Sequence, residues 1–149
     1  MPWTVEQQVR LQQERQIIDK YLYALKPVWH FPTIPGSAYI EVSMKTNSAT
    51  VYPLRLFIPS DLPNSVPRVY VWATLRDYSY RNLADTGVSA NMHLLGPEDG
   101  HVQICHYRST NWSPNVTFYK VFMKARLWLE AYEGHKQTGK SLDQYLRHQ

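Results

Sequence analysis

One stretch constrains the fold of this chain more than any other. Phe118, Val121, Phe122, Ala125, Leu129 and Tyr132 recur at i, i+3, i+4, i+7, i+11 and i+14, the spacing of a single face of an α-helix. An apolar stripe of that width is stable only when other elements cover it. Trp112-Ser113-Pro114 precedes the pattern and Gly134 follows it. Glycine accepts the left-handed conformation that closes a helix, so the helix is expected to stop at Gly134.

The cover lies upstream. Ile40, Val42 and Met44 alternate with Glu41, Ser43 and Lys45, the period of a half-buried strand, and Asn47-Ser48 breaks the run as a turn. Val51 to Ile58 resumes it with Leu54, Leu56 and Ile58 on one side of the pleat. Arg68 to Leu75 is a third run, with Val69 and Val71 facing one way and Tyr70 and Trp72 the other. Short connections make these runs an antiparallel meander. Between the second and third, Pro59, Pro63 and Pro67 stiffen the backbone into a rigid, exposed edge that cannot carry a regular ladder.

A first helix starts at Thr4, whose hydroxyl and the Gln7 amide form a capping box. Ile18, Tyr21, Leu22 and Leu25 give it one apolar face, and Pro27 ends it. His30 to Gly36 reads as a Pro-rich linker, and Asp77 to Asn91 as an irregular loop. The next stretch, to Trp112, is irregular apart from a turn at Pro97-Glu98-Asp99-Gly100 and one short strand, His101 to Ile104. Ser141 to His148 is a last short helix with Leu142, Tyr145 and Leu146 on one side. The expected class is α+β, an antiparallel meander covered by helices.

With 149 residues, 44% of them apolar and 19% charged, a single domain spanning 1–149 is expected. The start has no basic stretch leading into an apolar one, and no run approaches the ~18 apolar residues that cross a bilayer. A soluble cytoplasmic protein with no membrane partner is the expectation. The net charge of +4 is mild and not concentrated in any run, so it fits an acidic protein partner and no nucleic acid is expected. Neither GxGxxG nor GxxxxGK[ST] is present, so nucleotide chemistry has no support and no cofactor is expected.

Chemistry concentrates at Cys105, the only cysteine, which cannot form an internal disulfide. Four readings compete. The first is a small buried hydrophobe. The second is a metal site with His93, His101 and His106; it lacks a close ligand pair, and strand alternation turns Cys105 and His106 to opposite faces. The third is a Cys–His hydrolase, for which His101 lies about 13 Å back along the strand and His93 alone could approach, with no residue placed to orient it. The fourth is a thioester carrier: a reachable thiolate takes an activated carboxyl terminus and passes it to a lysine amine, needing oxyanion donors and a docking surface but no strong base. Among other charges, Glu130, Glu133, Lys120, Lys124 and Arg126 read as solvated helix faces, and Trp112 as a packing anchor for the cysteine loop.

Here the residues reach a family. Tyr52-Pro53 through Pro63, with Val66-Pro67-Arg68-Val69, resembles the second and third strands of ubiquitin-conjugating (E2) enzymes. Gly100 to Cys105, then Trp112-Ser113-Pro114 and Thr117, resembles the run around their active-site cysteine. The likeness covers about residues 4 to 148 and implies a UBC-like fold with Cys105 as the nucleophile. The family's His-Pro-Asn tripeptide, whose Asn steadies the oxyanion, is missing; the chain has Asn91-Met92-His93 instead. His93 is the chosen substitute, with Asn91 and His101 as weaker candidates. The strand sequences are remote from standard E2 enzymes, and the chain resembles the stand-alone E2-like proteins of bacterial antiphage operons (short type II CBASS). That resemblance implies protein partners: the C terminus of a cGAS-like nucleotidyltransferase or a ubiquitin-like protein, an E1-like enzyme, and targets bearing lysines. The alternative is a non-catalytic adaptor that binds through the Pro59–Pro67 edge and the opening helix, with Cys105 incidental.

Overall fold

The computed structural model describes residues 3–32, 36–107 and 109–146. Helix α1 (Val5–Tyr21) starts with the expected reciprocal cap: Thr4 N–H donates to Gln7 Oε1 at 2.9 Å and Gln7 N–H to Thr4 Oγ1 at 3.1 Å. A 3-10 turn (Tyr23–Leu25) and a left-handed Lys26 finish it ahead of Pro27. Strands β1 (Val28–His30), β2 (Tyr39–Lys45), β3 (Val51–Phe57) and β4 (Arg68–Val71) follow, then β5 (Leu94–Glu98), β6 (His101–Ile104) and helix α2 (Phe118–Thr138). A 3-10 turn at Leu142–Gln144 stands where the last helix was expected; residues 147–148 of that expectation lie outside the described residues.

All neighbouring strands run antiparallel in one six-stranded sheet, ordered β1-β2-β3-β4-β6-β5. The architecture is therefore α+β, with a helix before the sheet and a long one after it. One face supplies Ile40, Val42, Leu54, Leu56, Val69, Val71, Val102 and Ile104 to a core closed by Phe118, Val121, Phe122, Ala125 and Leu129 of α2. The 3.6-residue and two-residue periods thus meet in one hydrophobic cluster.

The opposite face carries an aromatic plate. His30, Tyr39, Phe57, Tyr70, Trp72 and His101 touch in sequence across five strands, ending in a Trp72–His101 stack with centroids 4.1 Å apart. Arg55 lies between Tyr39 and Trp72, 4.6 and 4.2 Å from their centroids, and pairs with Glu41 at 2.7 Å.

Several expectations need correction. The stretch 30–36 is not wholly linker: its first residue belongs to β1, which pairs with β2, while residues 33–35 lie outside the described residues. The segment before the cysteine holds β5, joined to β6 by Asp99 and Gly100, both at positive φ (52° and 74°), as a tight hairpin turn requires. Strand β4 stops at Val71 rather than Leu75. Helix α2 runs through Gly134 and stops at Gly139, whose φ of 76° is left-handed. Gly134 serves packing instead, since a Cβ there would lie 3.1 Å from the Tyr145 ring.

On α1, Tyr21 is exposed, and the buried stripe is Leu11, Glu14, Ile18 and Leu22. On α2, Glu130 and Glu133 are not a solvated face. Glu133 accepts hydrogen bonds from Thr46 (2.9 Å), Ser48 (3.0 Å) and Tyr52 (2.8 Å), Glu130 accepts from the Asn47 N–H (2.8 Å), and Arg126 donates to Asn47 Oδ1 (2.8 Å). The β2–β3 turn is thereby tied to α2. Glu133→Ala leaves three donors without their acceptor, and a loss of about 2 kcal/mol is expected in urea unfolding; a change within ~0.5 kcal/mol would show the hub to be idle.

Candidate functional site

Cys105 is the first residue beyond β6 and is half-buried. Its N–H donates to the His93 carbonyl at 2.9 Å, so the hairpin's two stems converge at the thiol's own backbone. The β4–β6 register pairs Val69 with Ile104 and Tyr70 with Gln103. Continued by one residue, it sets Arg68 across from Cys105, on the same side as the aromatic plate. Val66, Pro67, Leu95, Gln103, His106 and Tyr107 complete a groove of about 420 Å³ that both residues line.

The residues behind the groove are held from several directions. His93 has φ 52° and is 3% exposed. Its Nε2 lies 3.1 Å from Asp143 Oδ1, and the Asp143 N–H donates to the Asn91 carbonyl at 2.8 Å. The segment after α2 thus anchors the loop that meets Cys105. The structure joins His93 to Cys105 through the main chain, with the imidazole directed to Asp143. Asn91 takes part through its carbonyl, and His101 is stacked on Trp72.

Beyond the cysteine, Trp112 donates its indole N–H to the Pro63 carbonyl at 3.0 Å and meets Tyr107 edge-on at 5.6 Å. That fulfils the anchoring role expected of it and couples the cysteine segment to the proline-rich turn. Gln7 of α1 reaches the same turn, donating to the Ser60 and Leu62 carbonyls at 2.9 and 3.2 Å. Lys124 is not a plain solvated charge: its Nζ sits 4.1 Å from the Tyr107 centroid, and burial, followed by Lys120, lowers its pKa.

His106 turns inward as alternation requires and is 6% exposed. Its Nδ1 is 3.3 Å from the Ile104 carbonyl. Burial pushes its pKa from 6.5 down to about 4, against the opposing pull of the Ile104 carbonyl and with a smaller push from Lys124. No group of three or more His, Cys, Asp or Glu among the described residues could hold a metal ion. No helix of the described residues is long and apolar enough to cross a membrane.

Sequence reasoning missed Arg68 and Lys124. Arg68 stood in the Val66-Pro67-Arg68-Val69 run without a role of its own, and its signal was the β4–β6 pairing, which links strands far apart in the chain; Lys124 read as a solvated charge. Comparison with known proteins adds no relative: no family model, no curated protein and no solved structure matches the chain.

The state of His106 makes a pH prediction. Its folded pKa is depressed, so the unfolded chain binds the extra proton first as pH falls below 6.5. Stability should fall between pH 6.5 and about 4 by on the order of 3 kcal/mol. His106→Gln should flatten that part of the curve; an unchanged slope in the variant would place the titration elsewhere.

Proposed function

We propose that this chain is a UBC-like thioester carrier in which Cys105 accepts a protein's carboxyl terminus and passes it to a lysine amine. The observation that carries the reading is the position of the thiol: half-buried, just past a strand end, at the wall of a groove and framed by anchored segments. A nucleophile of this kind needs to be reachable and fixed, while its surroundings exclude water from the ester. The element order supports the same reading: an opening helix, an antiparallel meander, a proline-rich turn, the cysteine and then a long helix.

Cys105 is the nucleophile. His93 is a positioning residue, holding the cysteine's backbone through its carbonyl while Asp143 holds its ring. The carried protein is a cGAS-like nucleotidyltransferase or a ubiquitin-like protein, loaded by an E1-like enzyme in a bacterial defence setting, as the family likeness implies. A non-catalytic adaptor is the second reading, supported by an adjoining groove of about 510 Å³ along Pro59, Ser60 and Asp61.

Co-expression with the proteins encoded beside it, using wild type, Cys105→Ser and Cys105→Ala, tests the assignment. Wild type should form a covalent adduct that thiol reductant dissolves, Cys105→Ser an adduct that survives reductant, and Cys105→Ala none. Failure of wild type to form a reducible adduct would overturn the carrier. Full function of Cys105→Ala in the cell would select the adaptor.

A further inference from the structure

We infer that the groove at Cys105 selects a carboxyl-terminal tail bearing an acidic side chain within its last few residues, and that Arg68 is the residue that reads it. The inference rests on the carrier reading above, since the tail's terminal carbonyl must reach the sulfur.

Two observations lead to it. First, the groove holding Cys105 and the second groove along the proline-rich turn share Val66 and Arg68. Taken together as a furrow for an extended chain that ends at Cys105, they bring that chain past Arg68. Second, Arg68 and Cys105 line the same groove, and the β4–β6 register extended by one residue sets them across from each other, so at ~3.3 Å per residue the side chain Arg68 meets belongs to the last two or three positions of the tail.

The charges along this furrow favour an acid there. Close to the sulfur the walls are uncharged, from Val66, Pro67, Leu95 and Tyr107. Glu98 is the acidic neighbour of Arg68, at 3.5 Å with both side chains about half exposed, a contact too long and too wet to hold the guanidinium strongly. Asp61 lies farther along the furrow and accepts a hydrogen bond from Ser65. The rings of Phe57 and Tyr70, 5.1 and 5.9 Å from the guanidinium carbon, seat the Arg68 side chain. A planar guanidinium so seated matches a carboxylate in a paired, two-bond geometry that an ammonium cannot reproduce.

The probes are N-acetylcysteamine thioesters of acetyl-Ala-X-Ala-Gly with X as Glu, Gln or Lys. Cys105 thiolate attacks the glycyl carbonyl, a new C–S bond forms, the bond to the cysteamine sulfur breaks, and that thiolate takes up a proton. Intact mass at low ionic strength follows the acyl-protein. Wild type should be acylated about three- to fivefold faster by the Glu peptide than by the Lys peptide, with Gln between them. Arg68→Glu should reverse that order, and a urea unfolding midpoint close to that of wild type shows that the variant is folded. Equal rates for all three peptides, with Cys105→Ala blank, would overturn the Arg68 inference and leave the carrier standing. No acylation of wild type by any peptide would overturn the carrier reading, and this inference with it.

Discussion

A carboxylate buried between two helices fixes the frame in which Cys105 sits. Glu14, 1% exposed, accepts the Phe118 N–H at 3.0 Å and the Arg10 Nε–H at 2.9 Å. Arg10 in turn donates to the carbonyls of Pro114 (2.5 Å) and Val116 (2.9 Å). A single ion pair on α1 thus satisfies orphan backbone groups at the start of α2 and in the connection leading to it. Burial raises the Glu14 pKa, with the Phe118 N–H and Arg10 opposing that shift. Removing either partner would strand a charge or a set of carbonyls in a dry interface, a costly outcome.

The consequence runs to the thiol. With the Pro114 and Val116 carbonyls held by Arg10 and Trp112 bonded to Pro63, the part of the connection that leads into α2 is fixed. The hairpin before it is fixed by the His93 carbonyl and by the contact of His93 with Asp143. Cys105 therefore sits between two anchored segments, beside a groove rather than inside the core. Rigidity of this sort is what a group-transfer site requires of its scaffold.

The periodic parts of the fold were readable in advance. The α2 stripe, the inward residues of β2, β3 and β4, the Thr4–Gln7 cap and the His101–Ile104 strand are present, because hydrophobic spacing and capping are local properties. What escaped was non-local. Glu14 and Glu133 look like surface charges until the partner segment arrives. Gly134 resembles a stop because the Tyr145 ring that fills its vacancy follows eleven residues later. Strand β5 carries Gly96 and Pro97 and only one buried residue, so neither propensity nor alternation marks it. At the site, Cys105, His93 and Trp112 stood out by type and order, whereas the place of Arg68 beside the thiol emerges only from strand pairing and the groove it lines.

The most direct measurement is alkylation of Cys105 by iodoacetamide in the native protein, followed by intact mass, alongside the same reaction in denaturant. Native protein is expected to take up one label at a rate within roughly tenfold of the unfolded chain, because a half-buried thiol at a groove wall meets reagent without unfolding. Labelling that starts only where urea unfolds the chain would mean a sulfur sealed in the core, and would contradict a carrier at this position.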